Sequence, residues 1–498
     1  MLDPKFLRAH RDKVEAGVAL KGQPVDLAAF YAVEEQRLKL LHETEELKAR
    51  RNAASEEIAR KKKAGVNADD EIAAMRVVGE RIKGLDAELK TLEEKSEALA
   101  AWIPNLPHPS TPPGRDATHN QVVRTARPPR TFDFAPQPHW ELATRLGLLD
   151  FERAPKIAGA GFLLFTGRGA RLERALINFM LDFHTTRHGY TEVSPPHVVR
   201  RASLFGTGQL PKLEADMYLV GEDELFLNPT AEVPVTNIHR DEILEPGRVP
   251  MNLTAYCASY RREAGAYGKD TRGMVRVHQF DKVELVKIAL PETSYDAHEK
   301  LAAEVPVTNL HRDEILEPGM VPRYLTAYCA SYRREAGAYG KDTRGMTRVH
   351  QFDKVELVKI VPPEPSGDEH ERLARDVSDI FEALELPWRQ VLLCSGDLSF
   401  AAAKCYDFEV WSPGTNAWLE CSSCSNFEDF QARRMNMRFR REPGAKVEYP
   451  HTLNASGLAL PRTYATLLEN HQTASGAVRI PAALRPYLDG LEEIAPPA

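Results

Sequence analysis

Several things are scarce in this chain, and each scarcity excludes a class of protein. Its 498 residues hold six cysteines, Cys257, Cys329, Cys394, Cys405, Cys421 and Cys424. That is too few for a disulfide framework and fits a reducing compartment, expected to be the cytoplasm. Cys421-x-x-Cys424 has no second pair, so two packing strand cysteines outweigh a zinc or redox site. No apolar run is long enough to span a bilayer, and the start, MLDPKFLRAHRDKVEAG, lacks a signal-peptide apolar core. A membrane role is therefore not expected. Net positive charge is also missing, the formal balance being −7. Any nucleic-acid contact must come from a local patch.

What is present is a globular composition, 28% charged and 43% hydrophobic, and a length that suggests roughly two to four domains. One stretch is present twice. Ala231–Ile288 recurs as Ala303–Ile360, differing only at Ile238/Leu310, Arg248/Met320, Met251/Arg323, Asn252/Tyr324 and Val275/Thr347. Two near-identical copies fall short of the three or more units a solenoid needs, and they suggest a tandem duplication within one domain.

Residues from Leu27 to Ile103 have a helix-forming composition. Val78, Leu85, Leu92 and Leu99, interleaved with Met75, Ile82, Leu89 and Ile103, make a coiled-coil seam, and Val33, Leu40, Leu47 and Ala54 make a weaker one. Gly65 and Asn67 break the helix, with Asp69 placed to cap the next. The expectation is an antiparallel helical hairpin within an N-terminal domain, 1–103. Arg50, Arg51, Arg60, Lys61, Lys62 and Lys63 lie on its first helix. Such a run is usually a solvated face, and phosphate-backbone binding is the sharper alternative. Prolines from Pro104 to Pro138 then mark a boundary, 104–138, because they suit neither helix nor central strand.

Beyond it, Gly169–His184 is amphipathic, with Leu172, Ala175, Leu176, Phe179, Met180 and Phe183 on one side. Short β-rich runs follow, giving an α+β domain over 139–498 with a mostly antiparallel sheet flanked by helices. In the repeat, Tyr260-Arg261-Arg262-Glu263 closes a strand, Ala264–Gly273 is a glycine-rich charged loop, and His278–Glu284 returns. An arginine at the mouth of such a hairpin suits polyphosphate, which it grips bidentately. Arg462, near a helix start, is a second phosphate clamp, and Glu420 has the chemistry of a magnesium ligand. Each arginine alone is as often a surface ion pair; the set is more specific than its members.

IPNLPHPS, GTGQLPK, NPTAEVP, SSCSNFEDFQARR and HTLNASGLALPR, in this order, resemble the bacterial-type seryl-tRNA synthetases, which are class II aminoacyl-tRNA synthetases. The resemblance covers essentially the whole chain. It implies a class II antiparallel sheet with a coiled-coil arm, ATP and Mg2+, L-serine and tRNA(Ser) (also tRNA(Sec)) as partners, and a homodimer formed through the first motif ending at Pro195-Pro196. It assigns serine binding to Thr230, Ala231, Glu232, Ser456 and Glu284 or Glu356. The catalytic arginines become Arg261 or Arg333 together with Arg462. Nucleotide contacts fall on Arg261, Arg262, Glu263 and Val277, or on Arg333, Arg334, Glu335 and Val349. Glu420, Cys421, Ser422 and Ser423 join them, with Glu420 and Ser423 as the metal segment. It also favours tRNA binding by the Arg50–Lys63 run.

That family has one arginine–glutamate hairpin, so this chain departs from it. LFLNPT leads directly into the first copy, whereas only the second continues into a full helix from Glu369 to Leu384. The expectation is that Thr230–Glu232 comes from copy one, that Arg333, Glu335 and Glu356 of copy two form the working set, and that the spare within 231–302 or 303–374 is extruded. A catalytically impaired tRNA-binding paralogue and a synthetase-like amino acid:carrier-protein ligase are the alternatives; the intact arm argues against the latter. HIGH and KMSKS signatures of class I synthetases are missing.

Overall fold

A computed structural model describes residues 1–159, 162–221, 224–245, 248, 251–260, 279–289, 325–332, 351–361 and 366–497. The chain forms two compact units, Met1–Pro104 and Asn105–Ala498. No helix among the described residues is long and apolar enough to cross a membrane.

In the first unit, α1 (Leu27–Lys63) and α2 (Asp69–Ala100) form the expected hairpin. Lys48 bonds Asp86 at 2.8 Å, Arg81 bonds Glu43 at 2.8 Å, and Lys61 pairs with Glu71. From Glu34 through Lys48 to Lys61 the partner falls from Ser96 to Asp86 to Glu71, which makes the pair antiparallel. The seam holds: Val33, Ile82, Leu85 and Leu89 are buried. Asp26 Oδ1 accepts from Ala29 N at 2.9 Å and caps α1. Asp69 does not cap this helix as expected: it is the first helical residue, after Ala68 at the cap position, and Asn67 Oδ1, two residues earlier, accepts its N–H at 2.8 Å. Gly65, at φ +73°, supplies the left-handed turn between the helices.

The second unit is built, in chain order, from β1 (Gln121–Ala126), α3 (Arg168–Arg187), β2 (Thr191–Val193), α4 (Arg201–Thr207), α5 (Glu232–Thr236), β3 (Met251–Tyr260), β4 (Gln279–Ala289), β5 (Leu325–Tyr332), β6 (Gln351–Val361), α6 (Ser366–Ala383), β7 (Trp388–Leu392), β8 (Lys404–Ser412), β9 (Ala417–Asn426), α7 (Phe430–Arg434), β10 (His451–Ala459) and α8 (Leu460–His471). The ten strands run in the order β1-β7-β8-β9-β10-β6-β5-β4-β3-β2. Pairing is antiparallel except where β2 meets β3 and where β4 meets β6. Leu172, Leu176 and Met180 of α3 join Val377, Phe381, Phe408, Leu453, Tyr464 and Leu468 in one core. Each such side chain contributes about 1.5–3 kcal/mol by leaving water. Phe183, expected on the same stripe, is only partly buried. The proline-rich stretch lies on this unit: Asn105 Nδ2 donates to Ala401 O at 2.9 Å and Phe427 O at 2.8 Å, and β1 pairs with β7.

Both copies of the repeat fold into the same hairpin. Glu284 faces Ala255 between β4 and β3, and Glu356 faces Ala327 between β6 and β5, at the equivalent register. Both then address the same residues of β10. Val286 and Val358 each stand opposite Asn454, and Ile288 and Ile360 each opposite Thr452. One row of backbone donors and acceptors satisfies one partner strand. Both hairpins thus stand in the one sheet and compete for a single stretch of β10, and neither is extruded from it as expected.

Candidate active site

Thr230 and Glu232 open α5, and both are buried, with Glu232 only 8% exposed. Thr230 N donates to Asn228 Oδ1 at 3.3 Å, which shapes the turn into the helix. A carboxylate this deep needs hydrogen bonds to remain ionised. One comes from Gln431 of α7, whose Nε2 donates to Glu232 Oε1 at 2.6 Å. Gln431 Oε1 in turn accepts from Thr452 Oγ1 of β10 at 2.6 Å. The segment expected to bind serine is thus tied to the central strand.

The neighbouring strand carries the segment expected to meet the nucleotide. Glu420 and Ser423 are three apart and would face opposite sides of a regular strand. A bulge in β9 changes this: Phe408 stands opposite Ser422, but Glu409 stands opposite Glu420, so Cys421 is the extra residue. Glu420 and Ser423 then share one partly exposed face with Asp407 and Glu409. Ser422 turns inward and donates to Ser456 O at 2.5 Å. Arg462, third residue of α8, reaches back to this face. Its Nη1 donates to Glu420 O at 2.6 Å and Glu420 Oε2 at 3.1 Å.

Cys421 is buried in the core, and burial pushes its thiol up to about 12. Such a thiol neither attacks nor ligates at neutral pH. Cys421, placed with the nucleotide contacts by the resemblance, is a buried core side chain at the bulge, and Cys424 is fully buried too. Among the described residues no three His, Cys, Asp or Glu converge on a metal position. Glu420 with Ser423 fits a magnesium ion that arrives with phosphate ligands, which needs only one or two protein carboxylates.

Arg261, Arg262, Glu263, Val277, Arg333, Arg334, Glu335 and Val349 lie outside the described residues. Their flanking strands are β3 to β6. Glu284 stands opposite Ser456 across β4 and β10, which joins two expected serine-binding positions. Tyr260 N, one residue before Arg261, donates to Asn228 O at 2.7 Å, beside Thr230. On α1, Arg50, Arg60, Lys62 and Lys63 are exposed, whereas Lys61 is spent in part on Glu71. Sequence reasoning missed Gln431 and Thr452, although DFQARR lies inside a quoted motif. A buried polar residue in that motif was the available signal.

Comparison with known proteins identifies the family. The seryl-tRNA synthetase N-terminal domain family matches residues 1–107. The class II core domain of the G, H, P, S and T synthetases matches 218–305 and 300–471, each stretch containing one copy of the repeat. A serine–tRNA ligase from Trichlorobacter lovleyi is 46% identical over 99% of this chain and 100% of its own. One from Geobacter sulfurreducens is 45% identical with the same coverage. Seryl-tRNA synthetase from Pyrococcus horikoshii, solved with ATP, superimposes with a TM-score of 0.80 over the full length of both chains at 30% identity. The chain belongs to the seryl-tRNA synthetase family, class II enzymes that ligate serine to tRNA.

Proposed function

We propose that serine is activated between the buried Glu232 and the Glu420–Arg462 pair. The observation that carries this is the linkage Glu232–Gln431–Thr452, which joins the amino-acid segment to β10, next to the strand that bears Glu420 and Ser423. Glu232 receives the substrate ammonium, with Thr230 and Ser456 lining the same site. No protein nucleophile is required. Serine's own carboxylate attacks the α-phosphorus of ATP and pyrophosphate leaves. Arg462 holds the γ-phosphate, and the hairpin arginine bridges the α-phosphate and the serine carboxylate. Glu420 with Ser423 would hold a magnesium ion accompanying ATP, which when bound would supply neutralising charge to the phosphates. The seryl group then passes to the 3′-terminal ribose of tRNA(Ser), which the Arg50–Lys63 face of the arm engages through its backbone. Rejection of alanine follows from site groups left unpaired when the hydroxyl is missing. A homodimer through the region ending at Pro195-Pro196, in the cytoplasm, completes the reading.

Of the two hairpins, we assign Arg333 and Glu356 as the working set. The ladder of β6 on β10 runs from Lys354 to Val361, and that copy alone continues into α6. A second reading rests on the Tyr260–Asn228 bond, which brings copy one to the serine segment and favours Arg261 and Glu284. Serine-dependent ATP–pyrophosphate exchange in Arg333→Ala and Arg261→Ala decides. Loss only in the former supports the assignment. Loss only in the latter selects the second reading, and equal loss ends the single-position argument.

A further inference from the structure

We propose that Gln431 is a positioning residue for serine recognition, fixing Glu232 so that its carboxylate meets the substrate ammonium. The proposal rests on the reading of Thr230–Glu232 as the ammonium site.

Gln431 is 1% exposed on the five-residue helix α7. Its amide nitrogen donates twice, to Glu232 Oε1 at 2.6 Å and to Thr207 O at 3.2 Å. Its oxygen accepts from Thr452 Oγ1 at 2.6 Å. A carboxylate and a peptide carbonyl can only accept, so the nitrogen must face them and the oxygen must face the threonine. The amide therefore has one permitted orientation, enforced from three directions. The helix that carries it is itself pinned. Arg434 Nε donates to Phe205 O at 2.7 Å and its Nη2 to Leu210 O at 2.6 Å. Asn237 Nδ2 donates to Ser203 O at 3.0 Å and to Val233 O at 2.9 Å, tying α4 to α5. Glu232 is therefore held within a closed frame of α4, α5 and α7.

The choice of an amide matters electrostatically. A lysine or arginine in this position would satisfy the buried oxygen but cancel its charge, and would compete with the incoming ammonium. A neutral donor stabilises the carboxylate and leaves its full charge for the ligand. The cost of losing that donor should appear in serine binding rather than in ATP binding, because Gln431 touches the amino-acid segment.

The test is ATP–pyrophosphate exchange with full-length Gln431→Met, Thr452→Val, Thr452→Ser and Glu232→Gln, measuring KM for serine and for ATP separately. Gln431→Met, which keeps the length but has no donor, should raise the serine KM about tenfold with the ATP KM unmoved. Thr452→Val frees the amide oxygen and should shift the serine KM in the same direction by less, and Thr452→Ser should recover it. Equal rises in both KM values for Gln431→Met would mean a general structural role and overturn the proposal. A raised serine KM in Glu232→Gln with none in Gln431→Met would overturn it too. If Glu232→Gln itself left the serine KM unchanged, the ammonium site would be misassigned, a different failure.

Discussion

Arg462 Nη1 meets Glu420 twice, at the backbone oxygen (2.6 Å) and at the carboxylate (3.1 Å). The guanidinium is 12% exposed and the carboxylate 31%, so the pair stands at the edge of solvent. A helix start and a bulged strand, 42 residues apart in sequence, are locked by one side chain. Glu420 sets the direction of the fork, and if Arg462 holds the γ-phosphate as proposed, that orientation is in place beforehand and needs no reorganisation.

Arg462→Lys keeps the charge and loses the planar fork. The expected result is a fall in kcat/KM for ATP of about 10²-fold, with Arg462→Ala lower still. Pyrophosphate exchange at saturating serine measures both. A lysine variant as active as the parent would show that charge alone suffices.

The shared register on Asn454 makes a backbone prediction that does not involve arginine. Proline removes an N–H and cannot sit in a central strand, at a cost of about 3 kcal/mol or more. Val358→Pro should lower the unfolding midpoint and abolish exchange, while Val286→Pro should be nearly silent, if β6 fills the position beside β10. Thermal melts of the two variants decide; comparable damage in both would mean that both hairpins are needed.

The seam through Ile82, Leu85 and Leu89 and the α3 stripe through Leu172 and Met180 were legible because helical burial repeats at fixed spacing. The bulge at Cys421 was not. Nothing in ECSS states that one residue drops out of register and brings Glu420 and Ser423 to one face. Gln431 was hidden for another reason: its bond to Glu232 spans 199 positions, and no local periodicity encodes so distant a contact. Asp69 departs in a smaller way: the helix begins on it, and its own N–H is taken by Asn67 Oδ1, so it stands inside the helix and not at the cap.

Glu34 in the first unit is 2% exposed and accepts from Arg37 Nε at 2.7 Å and Ser96 Oγ at 2.7 Å, with Arg8 also paired to it. Burial alone would raise its carboxyl, but the bonds from Arg37, Ser96 and Arg8 hold it down at about 2. A depressed carboxylate stabilises the fold above its unfolded value and loses that contribution as pH falls toward 2. Glu34→Gln should destabilise the helical unit by about 2–3 kcal/mol at pH 7, with the gap closing below about pH 4. Urea unfolding of the full chain, followed by helicity across that range, is the check.

The opposite end of the chain supplies a histidine with the same sign of pH dependence. His471 is 1% exposed, and its Nε2 donates to Leu384 O at 2.9 Å. Its Nδ1 is buried with no hydrogen-bond partner among the described residues, so a proton added there would have no acceptor. Burial accordingly pushes the ring down to about 4. The unfolded chain, titrating near 6.5, takes up the proton first, so between about pH 6.5 and 4 acidification favours unfolding. One such group contributes about 1.4 kcal/mol per pH unit across that window and nothing further below it. His370, fully buried with Nε2 on Cys424 O at 2.6 Å, is shifted in the same direction and adds to the slope. His471→Gln can keep a donor for Leu384 but cannot titrate. Its unfolding free energy should depend on pH with one proton fewer than the parent in this window, whatever its absolute stability. Denaturant titrations at pH 7, 6, 5 and 4.5 read that slope directly, and an unchanged slope would mean that the ring takes up its proton at the same pH in the folded and unfolded chains.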